Sequence, residues 1–364
     1  MRIGIDGHNL EGKRTGVGRV LFNILQEWDN LNPRSLEFIL YFKKEIPELN
    51  LSNRFEKKLL NSNSNALFMH WSVCWQATKD KLDILFCPNY VSPIFYFKKT
   101  ALILHDIIYQ VHPEWYNWPS VWDKILLKKF SKISAKKAQV IFTPSEFTRQ
   151  EVIKHYQVNP NKVVTTLWST DKDFKQISDQ SRLEEIKKKY QIKDKFIFYI
   201  GSIFTRRHLS EVIKAFRSLS NKIPNYQFLI VGVNYVNISE QEFNHEKILY
   251  QEYLSGKDLV ELYNAADLTI YLSDYEGFGL PILESMACGT PVVTSNKTSI
   301  PEVAGQAAIY IQDNSNIQEI KEGIYKGLID QRLRQDLINS GLAQASKFSW
   351  LKSAQKMLDA LRKF

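Results

Sequence analysis

No apolar run in the 364 residues approaches the roughly 18 that a bilayer-crossing helix needs, and Met1 to Asp6 reads as a strand, not as a secretory leader. A cytoplasmic protein is expected. Cysteine is scarce: Cys74, Cys87 and Cys288 lack metal-ligand spacing and cannot all pair with one another, which excludes a disulfide scaffold and fits a reducing compartment. Internal repeats and low-complexity tracts are absent. Acid is in deficit, with 39 Asp and Glu against 48 Lys and Arg; the formal charge of +9 points to an anionic partner, whether nucleic acid, phosphorylated substrate or acidic membrane. What is abundant is apolar surface. A chain that is 44% hydrophobic and 13% aromatic can bury packed cores and is not disordered, and its length suits two domains.

Short apolar runs bounded by polar residues fill the first half: Arg2 to Asp6, Glu37 to Phe42, Asp83 to Cys87, Ala101 to Leu104, Gln139 to Thr143 and Val163 to Trp168. Segments of helical spacing such as Val20 to Trp28 separate them, the alternation of a parallel sheet covered by helices. The polar stretch Asp171 to Asp194 reads as a connection between domains. A second series follows, at Phe196 to Ile200, Gln227 to Val231, Lys247 to Gln251, Leu268 to Tyr271, Pro291 to Thr294 and Ala307 to Ile311. The expected fold is α/β, with two Rossmann-like doubly wound domains over residues 1–171 and 172–349. The final helical segment, 350–364, has apolar residues at Leu351, Ala354, Met357, Leu358 and Leu361 and is expected to pack back on the first domain.

The most informative stretch is DYEGFGLPILESMACGTP, from Asp274 to Pro291. A strand should end before it; Pro281 suits the first helical position and Gly289 the residue past the helix end. Glu276 then lies on the strand-to-helix loop and Glu284 about one turn inside the helix, whose N-terminus favours an anion. Two carboxylates beside a diphosphate would repel it, so their useful partners are hydroxyls, with Glu284 on a ribose and Glu276 near a donor sugar. The plain alternative is two solvated acids near a helix start.

The pattern EGFGLPxLE followed by ACGTPVV resembles the retaining glycosyltransferases of family 4, which have the GT-B fold: two Rossmann-like domains facing across a cleft. The resemblance implies donor contacts at Gly277, Phe278, Gly279, Leu280 and Glu284. A second motif, FIFYIGSIFTRRHLSEVIKAF, has a strand ending at Gly201 and a helix beginning near His208. It resembles the family's donor-phosphate loop, with Arg206 and Arg207 as guanidinium groups for phosphate oxygens, each hydrogen bond contributing about 1.5 to 3 kcal/mol. Arg207 stands where Lys is commoner, and Ser202 where many members have Arg. Tyr253 and Leu254, in LYQEYLSGKDLVELYNAADL, match the nucleotide-base loop.

In the first half, Thr15 to Gly18 form a turn leading into a helix, and the resemblance places Gly16 and Gly18 under the donor diphosphate; an ordinary turn is the alternative. GVG is not a full dinucleotide fingerprint, which disfavours a dehydrogenase. His105, at the end of a strand, maps onto the family's active-site histidine. Trp168-Ser169-Thr170-Asp171 replaces the common Asn-Gly-Val-Asp turn, so contacts of that turn do not carry over.

The resemblance implies front-face attack with the leaving phosphate accepting the acceptor's proton, so that His105, Glu276, Arg206 and Arg207 form the catalytic set, with no metal and no other cofactor. The expected donor is a nucleotide diphosphate sugar, GDP-mannose ahead of UDP- and dTDP-sugars, and the expected acceptor a glycan or lipid-linked glycan of a surface polysaccharide. Residues 121–139 carry six lysines and one acid. Lys124 to Lys137, with Trp115, Tyr116, Trp118 and Trp122 nearby, is therefore a candidate contact for an anionic membrane, a solvated lysine face being the ordinary alternative. Charge gathered on one helix argues against a nucleic-acid platform. The competing functional class is a partner subunit that binds a sugar nucleotide without turning it over.

Overall fold

Among the described residues thirteen strands form two all-parallel sheets. The computed structural model describes every residue except Lys13, Thr15, Asn32, Pro33, Arg34, Asn117, Pro119 and Asn237, and the backbone only of Glu240. Thr15 of the expected turn thus lies outside the described residues.

The first sheet contains β1 (Arg2–Asp6), β2 (Glu37–Phe42), β3 (Phe55–Leu59), β4 (Ile84–Cys87), β5 (Thr100–Ile103), β6 (Val140–Thr143) and β7 (Val163–Thr165), in the order β3-β2-β1-β4-β5-β6-β7. The second contains β8 (Lys195–Ile200), β9 (Tyr226–Val231), β10 (Ile248–Gln251), β11 (Leu268–Tyr271), β12 (Val292–Ser295) and β13 (Ile309–Ile311), in the order β10-β9-β8-β11-β12-β13. Each sheet reverses its winding once, between β1 and β4 and between β8 and β11. At such a switch point neighbouring loops diverge and leave a crevice beyond the carboxyl ends of the strands, where ligands of doubly wound folds bind.

The central strands are buried along their whole length, as parallel strands covered on both faces must be. β3 escapes a search for apolar runs because it is an edge strand, FEKKL, whose charges keep the edge from pairing further. Lys58 on it reaches Asp80 at 2.6 Å.

The chain divides into two compact units, Met1–Trp168 with Ser349–Phe364, and Ser169–Phe348. In the first, the helix Trp350–Leu361 packs on the helix Gly16–Asn30, and the buried Trp28 indole donates to the Ala354 carbonyl at 3.0 Å. Trp350, Ala354, Met357, Leu358 and Leu361 turn inward. Leu351, expected in that stripe, is 47% exposed, because Trp350 takes the inward position one residue earlier.

Candidate active site

In the second unit the expected residues meet at the β8/β11 switch point. Gly201 ends β8 at φ 131°, and a Cβ there would lie 2.4 Å from Arg207 Nη1, so only glycine lets the guanidinium lie against the strand end. Arg206 and Arg207 occupy the 3-10 turn Thr205–Arg207, and His208 takes a left-handed φ of 51° before the helix Leu209–Leu219. Arg207 donates through Nε to Glu276 Oε1 (3.1 Å), through Nη1 to the Ser202 carbonyl (2.9 Å) and through Nη2 to the Tyr271 hydroxyl (3.0 Å). Three of its five N–H donors are thereby committed to the protein.

Glu276 is held as firmly. Ser273 Oγ donates to its carboxylate at 2.9 Å, Thr298 Oγ1 accepts its backbone N–H, and Ser299 Oγ donates to its carbonyl. The side chains of Arg207 and Glu276 are 12% and 13% exposed. Burial alone would raise the Glu276 pKa, but the charges of Arg207 and Arg206 and the Ser273 hydrogen bond outweigh it and hold the carboxyl below its ordinary value. The pair is thus a fixed dipole at the sheet edge. Arg206 differs: its guanidinium lies over the Phe204 ring at 4.3 Å and, among the described residues, its Nε has no hydrogen-bond partner.

The helix Leu280–Ala287 begins after Gly279 at φ 104°, with Pro281 in its first turn. Glu284 lies one turn inside, 2% exposed, with the Tyr263 hydroxyl donating to it at 3.1 Å. Phe278 is buried against Phe348, and Leu280 opens the helix. Gly289 follows the helix at φ 78°, where a Cβ would meet Gln176 at 2.4 Å. Leu254 is buried, whereas Tyr253 is 63% exposed beside the helix Gly256–Ala265.

Asp274 was not singled out from the sequence, yet it ties the two loops together. Its N–H donates to the Arg206 carbonyl, and its carboxylate meets His208 Nε2 at 2.6 Å, Lys297 Nζ at 2.7 Å and Asn314 Nδ2 at 2.9 Å. Burial works against its charge, and these hydrogen bonds more than reverse that, leaving the carboxyl well below its usual range. Its signal in the sequence was faint, one more acid two residues before Glu276.

The first unit is built differently. His105 lies just past β5, buried, with Nε2 2.8 Å from the Pro88 carbonyl and its ring 4.9 Å from that of Trp168. Burial lowers its pKa to about 4, partly countered by the Pro88 hydrogen bond, so the ring is neutral at pH 7. Gly16 and Gly18 belong to the first turn of the helix Gly16–Asn30, not to a turn before it. Gly18 is buried, and a Cβ there would lie 2.2 Å from the Asn9 carbonyl oxygen, so packing alone demands glycine; Gly16 is exposed, with nothing within 4 Å of a Cβ.

Residues 182–344 match the model of the glycosyl transferases group 1. Over 294 residues the chain is 30% identical to the O-antigen chain mannosyltransferase B of Escherichia coli, covering 79% of this chain and 76% of that protein. It is 27% identical over 271 residues to the serotype-specific mannosyltransferase WbdA of E. coli, 72% of this chain but 33% of that longer protein. Among solved structures, WaaG, a glycosyltransferase involved in lipopolysaccharide biosynthesis, superposes with a TM-score of 0.76 at 17% identity over 99% of both chains. Anabaena HepE in complex with UDP-glucose gives 0.77 at 15% identity over 100% of this chain and 99% of that one. The two-sheet architecture is that of these GT-B proteins.

Proposed function

Because this chain belongs to the group 1 glycosyltransferases, we propose that it moves a hexose from a nucleotide diphosphate sugar, GDP-mannose ahead of UDP- and dTDP-sugars, to a glycan or lipid-linked acceptor in surface polysaccharide synthesis. The observation that carries the reading is the preorganised Arg207–Glu276 pair at the second unit's switch point, with Arg206 beside it. Arg206 and the two uncommitted N–H groups of Arg207 receive the diphosphate, and the 280–287 helix start adds its dipole. Glu276 is positioned for a sugar hydroxyl and Glu284 for a ribose hydroxyl. The neutral imidazole of His105 serves as a hydrogen-bonding group, not as a cation.

In this reading configuration is retained. The acceptor oxygen bonds to the anomeric carbon on the face from which the diphosphate departs, the bond to the diphosphate breaks, and the acceptor proton passes to the leaving phosphate. Charge developing on that phosphate is met by arginine instead of metal, a preorganised stabilisation worth about 10²- to 10³-fold in rate per donor. Transfer of labelled sugar from GDP-, UDP- and dTDP-sugars, in EDTA and with the product anomer read by NMR, tests it. Retention in EDTA is expected; an inverted product or metal-dependent transfer would sink the mechanism, and nucleotide binding without transfer to any acceptor would favour the partner-subunit class.

The same reading puts the enzyme at the cytoplasmic face of a membrane. Val121, Trp122, Ile125 and Leu126 are exposed on the lysine-rich helix Val121–Lys137, which is anchored instead by Ser131, Ser134 and Ala135. Lys137 joins this helix to a second apolar group: its Nζ donates to the Ile94 carbonyl at 2.8 Å and lies 5.0 Å from the Phe97 ring, which is 86% exposed. The Ile94 N–H in turn donates to His70, in the segment bearing the exposed Trp71 and Trp75. Aromatic rings beside lysines suit an anionic bilayer interface. Trp71→Ser/Trp75→Ser/Trp122→Ser should abolish co-sedimentation with anionic vesicles and leave nucleotide binding intact; unchanged sedimentation would return the lysines to a solvated face.

A further inference from the structure

The two arginines of the Thr205–Arg207 turn are fixed in different ways. Arg207 is locked through its own guanidinium, on Glu276, Ser202 and Tyr271. Arg206 leans on the Phe204 ring, which stacks in turn on the Tyr235 ring of the loop after β9 (5.0 Å, interplanar angle 7°). That contact steadies the guanidinium but leaves the backbone of the turn to be held by something else, and Asp274 holds it on both flanks. The Asp274 N–H donates to the Arg206 carbonyl at 2.9 Å, and Oδ2 of its carboxylate accepts from His208 Nε2 at 2.6 Å.

The other carboxylate oxygen, Oδ1, accepts from Lys297 Nζ at 2.7 Å and from Asn314 Nδ2 at 2.9 Å. One residue thus joins the loops that follow β8, β11, β12 and β13. Ser295 Oγ strengthens the junction, accepting the Ser273 N–H and donating to Asn314 Oδ1, each at 2.8 Å. His208 sits at the point of greatest conformational cost. A left-handed φ of 51° is unfavourable for a residue with a Cβ and persists where the surroundings enforce it. Here they do so through Asp274 on one ring nitrogen and Glu211, 3.7 Å from the other.

The Asp274 side chain is 19% exposed, and its N–H and both carboxylate oxygens are already taken by the protein. It therefore acts through its neighbours and not as a ligand. We propose that Asp274 is a positioning residue for the transfer reaction: by tying the Arg206 carbonyl and the His208 ring to the loops after β12 and β13, it holds the arginine turn in the geometry that receives the diphosphate. A turn fixed in advance meets developing charge without reorganising, whereas one free to open would have to be ordered by the ligand at the expense of affinity.

The inference rests on the donor reading and is tested apart from it. Amide hydrogen exchange on the full chain without nucleotide reads the turn through the Arg207 and His208 N–H groups, which donate to the Phe204 and Thr205 carbonyls. Calorimetry with GDP, UDP and dTDP reads its use. In Asp274→Ala those two amides should exchange at least about tenfold faster, and the diphosphate that binds the wild type should lose at least about tenfold in affinity. Asp274→Asn keeps an acceptor and should recover most of both. His208→Gly separates positioning from stability, because glycine relieves the left-handed strain while losing the tie to Asp274. Its melting temperature should stay within about 4 °C of the wild type, with the same tenfold loss of affinity. Unchanged exchange in Asp274→Ala, or unchanged affinity in either Asp274→Ala or His208→Gly, overturns the inference. Failure of all three diphosphates to bind the wild type, with exchange still responding to Asp274→Ala, would instead count against the donor reading.

Discussion

The two switch points use opposite electrostatics. In the second unit charge is concentrated and interlocked: Arg207 with Glu276, Asp274 with His208 and Lys297, and every carboxylate of these clusters held below its ordinary pKa. In the first unit, the described residues near the β1/β4 switch point include an Asp6–His8 dyad and an aromatic-lined cavity, and His105 past β5 is buried and neutral. A diphosphate leaving group needs fixed positive charge that does not reorganise, and a hydroxyl-bearing acceptor needs hydrogen bonds and flat apolar faces. The same doubly wound strand order, with different loops after its first and fourth strands, gives the two units these different edges.

The comparison breaks most sharply at Arg207. Arg207→Met strands Glu276 as an unpaired buried carboxylate, which should cost about 3–5 kcal/mol of stability together with transfer activity, whereas Arg207→Met/Glu276→Leu should regain most of the stability and none of the activity. Urea denaturation and transfer assays on both variants read this; a double variant as unstable as the single would mean the pair is not energetically coupled.

A pH series should separate the units. All eight tryptophans lie in the first, so their fluorescence reports that unit alone, while circular dichroism reports both. With its folded pKa near 4 against about 6.5 unfolded, His105 contributes stability that is complete above pH 6.5 and lost as pH falls to 4, roughly 3 kcal/mol in all. His8, with a raised pKa, contributes below about 6.5 and loses that contribution as pH rises further. The depressed carboxylates of the second unit give up their contribution only below about pH 4. Fluorescence-detected stability should therefore fall from pH 6.5 to 4 before the second unit weakens, and His105→Gln should remove most of that fall, the remainder coming from His70, whose pKa burial also lowers; a wild type with no slope there would show that His105 is not held neutral by burial.

The smallest expected effects are at the glycines. Gly18→Ala forces a shift against the Asn9 carbonyl and should cost about 1–3 kcal/mol, while Gly16→Ala, with open space, should be neutral or stabilising by up to about 1 kcal/mol. A loss of donor affinity in Gly16→Ala without a loss of stability would identify it as a ligand contact.

Much of this was legible from residues. Except for β3, the strands of both sheets follow from apolar runs, and Glu276, Glu284, Arg206, Arg207 and Gly201 are picked out by the motifs that resemble the family, which spacing alone would not mark. Three things were not legible. β3 is a charged edge without an apolar run. The buried stripe of the lysine-rich helix is made of serines and alanine, which no hydrophobic pattern marks. Asp274 and Asp6 act on partners that tertiary structure supplies, His208, Lys297 and Asn314 for the one, an imidazole over Phe68 for the other.

The central claim is that the second unit's charged switch point holds a nucleotide diphosphate sugar. Thermal shift with GDP-, UDP- and dTDP-sugars, on wild type beside Arg206→Ala and Glu284→Ala, tests it most directly. One nucleotide class should stabilise the wild type and neither variant; stabilisation of none, or of all three proteins alike, would contradict the account.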